Sequence, residues 1–155
     1  MLPQEHFVYG FFFAALLLLI FSNTVGLIGF MIIVLSTVLI DFDHHMYHLY
    51  TKQEVSLANA YKFFRNSRKK FLALSKAKRA EYYSAWCMFH GVEALIIALL
   101  LTFFVSEYFG FVFIGMAFHL ILDYNEQWRL SPRIDRISSA YDFLKFRKLQ
   151  NINDS

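Results

Sequence analysis

Residues 7–40 read FVYGFFFAALLLLIFSNTVGLIGFMIIVLSTVLI, 34 positions without a charged side chain. One helix of that length, rising 1.5 Å per residue, would reach about 51 Å. A bilayer core takes only about 20 residues. The run therefore reads as two membrane helices with a break between them. Ser22-Asn23-Thr24, with Gly26 just after, has turn chemistry, and Asn23 or Thr24 suits the N-cap of a following helix. The predicted spans are 7–22 and 25–41. Ahead of the run, residues 1–6 carry Glu5 and no Lys or Arg. A secretory signal would show a basic start and a small-residue cleavage site, so the run is expected to stay as an anchor.

A second apolar block runs from Val92 to Leu122, interrupted by Glu107 and Gly110. It predicts a helix over 82–106 with a wet start, a turn at Glu107–Gly110 and a last span over 111–127. The expected fold class is all-α: a polytopic membrane helix bundle of about four transmembrane helices, with residues 1–155 forming a single integral membrane domain. Composition agrees. The chain is 57% hydrophobic and 17% charged, against about 45–50% and about 25% in soluble domains. Nineteen Phe, six Gly and two Pro argue against disorder and against an all-β sandwich. The lone Cys87 excludes an intramolecular disulfide and is expected to be a small packed hydrophobe.

The net charge of +3 hides a segregation. All 15 Lys and Arg lie in two regions, a segment over 46–81 and a tail over 128–155. Short basic loops stay cytoplasmic, so both regions and, by parity, both termini are expected inside. In the segment, Leu57, Ala60, Tyr61, Phe64, Phe71, Leu72 and Leu74 approximate one apolar stripe, as in a helix resting on anionic lipid. In the tail, Ser131-Pro132 predicts a cap and first helical residue before a stripe of Ile134, Ile137, Tyr141 and Leu144. Membrane topology accounts for these charges, and nucleic acid is not an expected partner. Membrane lipids are, and a homo-oligomer is compatible with the sequence.

Three short motifs concentrate the ionisable residues: Asp41-Phe42-Asp43-His44-His45 with His48 one turn on, His90-Gly91-Val92-Glu93, and Gly115-Met116-Ala117-Phe118-His119-Leu120-Ile121-Leu122-Asp123. In the predicted topology all three reach the cytoplasmic end of their spans. His90 and Glu93 share a helical face, as do His119 and Asp123. Mixed carboxylate and imidazole donors suit Zn, Mn or Fe, and a cation offsets the cost of several carboxylates near a membrane. The expected metal ligands are Asp43, His44, His90, Glu93, His119 and Asp123, holding one or two divalent ions. Asp41 or Glu93 completes the site or acts as general base. His6 is read as structural, Glu107 as a solvated turn residue, and Gly91 and Gly115 as packing positions. No nucleophile elbow, P-loop, dinucleotide fingerprint or Cys-x-x-Cys is present.

The order of apolar hairpin, Asp41-x-Asp43-His44, a mid-chain His90, then Gly115-x-x-x-His119-x-x-x-Asp123 resembles the LexA-regulated, membrane-bound metal-dependent hydrolase family of prokaryotic inner membranes. The likeness covers most of the apolar chain through these short motifs. Two positions depart from it. Ile40 stands where such proteins often have proline, and His90-Gly91-Val92-Glu93 replaces a His-Arg-Gly with a following Thr-His-Ser. The resemblance implies an inner-membrane hydrolase, and a phosphoester, as a small anionic molecule or a lipid head group, is the expected substrate. Two other functions fit the residues. A di-iron membrane oxidoreductase is one, although no repeated His-x-x-His-His occurs. A metal or proton carrier or membrane scaffold is the other, although the predicted cluster lies at one end of the spans and not at their middle.

Overall fold

The computed structural model describes residues 2–153. Helices dominate: α1 (Pro3–Ile20), α2 (Ser22–Leu39), α3 (Phe42–Lys52), α4 (Leu57–Ala73), α5 (Val92–Phe104), α6 (Tyr108–Leu130) and α7 (Ser139–Phe146). Two residue pairs, β1 (Tyr82–Tyr83) and β2 (Gln150–Asn151), form a short parallel bridge. The chain divides into two compact units, Met1–Ile40 with Glu93–Asp123 and Asp41–Val92 with Tyr124–Ser155.

The first unit begins with Pro3 at the first helical position, where its missing N–H costs nothing. The Glu5 carboxylate accepts the Leu2 N–H at 2.7 Å, closing that helix end. The helix stops one residue before the expected break: Phe21 leaves helical geometry, and Gly26 sits at φ 53° inside α2, a conformation that glycine adopts readily. The two helices then run back along each other, Phe11 meeting Phe30 and Gly10 meeting Thr37. A Cβ at Gly10 would stand 2.2 Å from Thr37 Oγ1, and one at Gly115 would stand 2.7 Å from the Ile33 carbonyl. Hydrogen at these positions lets the helices close to that distance. Ala14, Val25, Ile33 and Val34 form the buried centre, with Phe13, Phe111 and Ile114 packed around it.

The opposite faces carry exposed bulk, including Leu19 at 81%, Phe103 at 75% and Phe104 at 82%. Exposed apolar bulk of this kind suits lipid rather than water. Among the described residues, three helical runs are long and apolar enough to cross a membrane: Pro3–Ile20, Ser22–Lys52 and Tyr108–Leu130. The expected helix over 82–106 is corrected. It starts at Val92 and spans 13 residues, about 20 Å, shorter than a bilayer core of about 30 Å.

The second unit is held by polar side chains that reach backbone. Arg79 donates to the carbonyls of Phe71 and Leu74 at 3.1 Å, Leu72 at 2.7 Å and Leu130 at 2.6 Å. It thereby satisfies the free C-terminal carbonyls of α4. Ser56 caps the other end of α4, accepting from Asn59 N, and Arg68 pairs with Glu126. Tyr83 stacks on Phe146 at 4.7 Å, and Trp86 meets Phe143 edge-on. The tail helix is also corrected: it begins at Ser139 with Ser138 as cap, not at Ser131-Pro132. Arg133 instead donates to the carbonyls of Ala80 and Tyr82, and Asp135 N–H to Gln127 Oε1. These long-range bonds replace the local ones a helix would need.

Candidate metal centre

The irregular stretch 84–91 owes its shape to partners far along the chain. Buried backbone groups need partners, and these are supplied by Asp43 and the tail. Asp43 Oδ2 accepts the Phe89 N–H at 3.0 Å. Ser139 Oγ donates to the Met88 carbonyl at 2.7 Å, and Trp86 Nε1 donates to the Ser139 carbonyl at 2.9 Å. Val92 N–H, the first of α5, goes to the Ile137 carbonyl at 2.8 Å. This arrangement carries Cys87 and His90 to the start of α3, where Asp43 and His44 stand. His90 therefore precedes α5 in a turn, and the expected shared helical face with Glu93 does not exist.

Four residues of the second unit gather here. Asp43, His44, Cys87 and His90 each present a donor atom, and these atoms lie within 4.8 Å of one another. His90 Nδ1 is 2.9 Å from Asp43 Oδ2. The carboxylate accepts, so Nδ1 bears the proton, and Nε2 lies 3.4 Å from Asp41 Oδ1. His44 Nδ1 is 3.1 Å from Asp43 Oδ1 and 3.5 Å from Asp41 Oδ1, and Cys87 Sγ is 3.6 Å from His44 Nε2. Phe64 closes one side, its ring 5.0 Å edge-on from His44. Burial pushes the His90 pKa down, but the hydrogen bonds to Asp41 and Asp43 outweigh it and hold the ring above its ordinary value.

These spacings admit a metal. Donors bound at 2.0–2.3 Å around one tetrahedral ion sit about 3.3–3.8 Å apart, and the one donor atom that each residue offers lies within 4.8 Å of the others. Asp43 Oδ1 is also buried without a well-directed hydrogen bond among the described residues, as a carboxylate oxygen reserved for a cation would be. The group is able to hold a metal ion.

A second polar group lies within the first unit. His119 and Asp123, four apart on α6, are both buried, and His119 Nδ1 donates to the Thr37 carbonyl at 2.8 Å. That bond fixes the tautomer and turns Nε2 toward Asp123 Oδ2, 3.7 Å away. His6, on α1, stacks on the His119 ring at 3.8 Å and places Nε2 3.3 Å from Asp123 Oδ1. The close seats of Gly10 on Thr37 and of Gly115 on Ile33 bring these helices together at the right depth.

Of the predicted site residues, Asp41, Asp43, His44 and His90 thus meet in the second unit, and His119 and Asp123 meet in the first. Glu93 opens α5, half-buried, and no cluster of three or more such donors among the described residues includes it. His45 and His48 pack elsewhere: His45 tilts against Phe42, and His48 is buried against Phe63. Three residues join the groups that the motifs did not point to. His6 was read as structural, yet it is fully buried beside Asp123; Pro3 and Glu5, marks of a helix start, were the available sign that it lies inside α1. Cys87 is the thiol donor. Arg136 places a guanidinium nitrogen 3.3 Å from His44 Nε2, with no local motif to announce it.

No family model, curated protein or solved structure matches this chain. What the fold and the donor group define is an all-α chain with helices apolar enough to cross a membrane and a buried cluster suited to a metal ion.

Proposed function

We propose that this protein is a membrane-embedded, metal-dependent hydrolase acting on a phosphoester at the cytoplasmic face of a prokaryotic inner membrane. The observation that carries the reading is the buried convergence of Asp43, His44, Cys87 and His90. Three of these four at a time would hold the ion, leaving its fourth position for water. The thiol among them favours Zn or Fe over Mn, because soft thiolates select such metals. A divalent cation there would supply the Lewis acidity that phosphoester cleavage requires. Asp43 also keeps His90 in one orientation through the 2.9 Å bond to Nδ1, a support commonly seen behind metal-bound histidine. Asp41, within 3.5 Å of both imidazoles, is the carboxylate placed to take a proton from an attacking water. His6, His119 and Asp123 form a separate buried polar group within the first unit.

The test is metal content by mass spectrometry on detergent-purified protein, beside Asp43→Asn and Cys87→Ser variants checked for helicity. At least one equivalent of Zn or Fe in the parent, lost from Asp43→Asn and reduced in Cys87→Ser, is expected, with phosphoesterase activity tracking the loading. No metal in the parent after reloading with Zn, Fe or Mn would sink the reading.

A further inference from the structure

The short helix α7 is built the wrong way round for water. Its buried side carries Ser139 and Asp142 beside Phe146. Its open side carries Tyr141, Phe143 and Leu144, between 51% and 63% exposed. A surface helix of a soluble domain turns its apolar stripe to the core and its polar residues outward. The open face continues past the helix. Trp86, edge-on to Phe143 at 5.6 Å, lines an apolar groove with Ala140, Phe143 and Leu144, and Ile137 and Met88 are exposed as well.

Two observations say what covers this face. The first is where it is tied. The Ile137 carbonyl accepts the N–H of Val92, the first residue of α5, at 2.8 Å, and the Tyr124 hydroxyl, on α6, donates to the Arg136 carbonyl at 2.8 Å. α6 is long and apolar enough to cross a membrane, so the lead into α7 is fastened where a candidate span runs into the second unit. The second is charge. Lys145 is matched by Asp135 and Asp142, but Arg147 and Lys148, at the end of α7, stand exposed, and Arg147 lies over the Phe143 ring at 6.0 Å. An apolar face bearing Trp and Tyr and rimmed by Arg and Lys is the pattern of helices that lie in the head-group layer, where acidic lipids draw the cations. We propose that the open face of α7, with the Trp86 groove, docks on the anionic leaflet of a lipid bilayer. Tyr141, Phe143 and Leu144 enter the acyl boundary, and Arg147 and Lys148 meet head-group phosphates. The proposal stands apart from the metal-dependent reading. Trp86 Nε1 donating to the Ser139 carbonyl, and Ser139 Oγ to that of Met88, fasten this face to the stretch that carries Cys87 and His90, so a docked α7 holds that stretch at the lipid surface.

The experiment is tryptophan fluorescence of the full-length protein in lipid nanodiscs. The chain holds two tryptophans, so Trp128→Phe leaves Trp86 as the reporter. The discs are phosphatidylcholine with or without phosphatidylglycerol, their acyl chains plain or brominated near the head group. Brominated chains are expected to quench Trp86 roughly twofold, as for a ring at head-group level, more strongly with phosphatidylglycerol, while acrylamide in the water quenches it little. Tyr141→Glu with Leu144→Glu, both at exposed positions, is expected to keep helicity, lose the lipid quenching and open Trp86 to acrylamide. Trp86 open to acrylamide and blind to brominated chains before those changes overturns the proposal. Trp86 shielded from both overturns it too, and assigns the face to a second copy or another protein. Equal lipid quenching with and without phosphatidylglycerol overturns the anionic assignment. Should the double variant lose helicity, Arg147→Gln with Lys148→Gln takes its place. Loss of the phosphatidylglycerol preference is then expected, and its retention overturns the proposal.

Discussion

The two units of this chain solve the same problem, burying polar groups, by different means. The first does it with shape. Helices seat on one another through Gly10 and Gly115, and one small group, His6, His119 and Asp123, is enclosed by apolar surface. The second does it with bonds. Arg79, Ser139 and Asp43 each bond backbone far along the chain, and Asp142 holds the Arg136 N–H. The contrast teaches that close helix packing encloses few polar groups, partnered among themselves and with one helix carbonyl, whereas a bonded unit is expected to fail when one hub is removed.

The sharpest way to break that comparison is Asp43→Ala. It strips the acceptor from both the Phe89 N–H and His90 Nδ1. Removing one member of a buried, bonded pair costs about 3–5 kcal/mol, to be read by denaturant unfolding of the metal-free protein in detergent. A loss near zero would show that the bonds of the second unit are replaceable. Gly115→Val comes next. Its side chain would meet the Ile33 carbonyl and Ser36, and overpacking of this sort costs about 1–3 kcal/mol, read by the same unfolding curve. An unchanged curve would mean that the first unit does not depend on that seat.

The smallest effect concerns Lys145. Burial lowers its pKa, but pairing with Asp135 and Asp142 outweighs this and raises it above 10.5. The sign follows: the stabilisation is fully present below about pH 10.5 and is lost as pH rises through the elevated value. Lys145→Met is expected to remove that alkaline loss, measured as melting temperature against pH. A parent and variant with parallel profiles would deny the pairing a role.

Legibility in the sequence follows the same division. The charge-free run over 7–40 and its break near Ser22 were readable because hydropathy and turn chemistry are local. The i, i+4 pair of His119 and Asp123 was readable because a helix imposes that spacing. The stretch 82–91 was misread as helix because the groups that bond it, Asp43 and Ser139, lie some 40–50 residues away. The tail misled for the same reason, through Arg133 reaching to Ala80 and Tyr82. His6 and Cys87 looked bland because a residue's neighbours in sequence say nothing of a remote partner such as Asp123 or His44.

The parallel bridge between Tyr82–Tyr83 and Gln150–Asn151 has a temporal meaning. The stretch bearing Cys87 and His90 follows its first strand, and its second strand comes some 60 residues after His90. Synthesis therefore delivers Asp43 and His44 first, Cys87 and His90 later, and the second half of the clasp later still. A cation arriving before Gln150 is made would meet donors without that clasp. A substitution that breaks the bridge is expected to weaken metal loading although it touches none of the ligands.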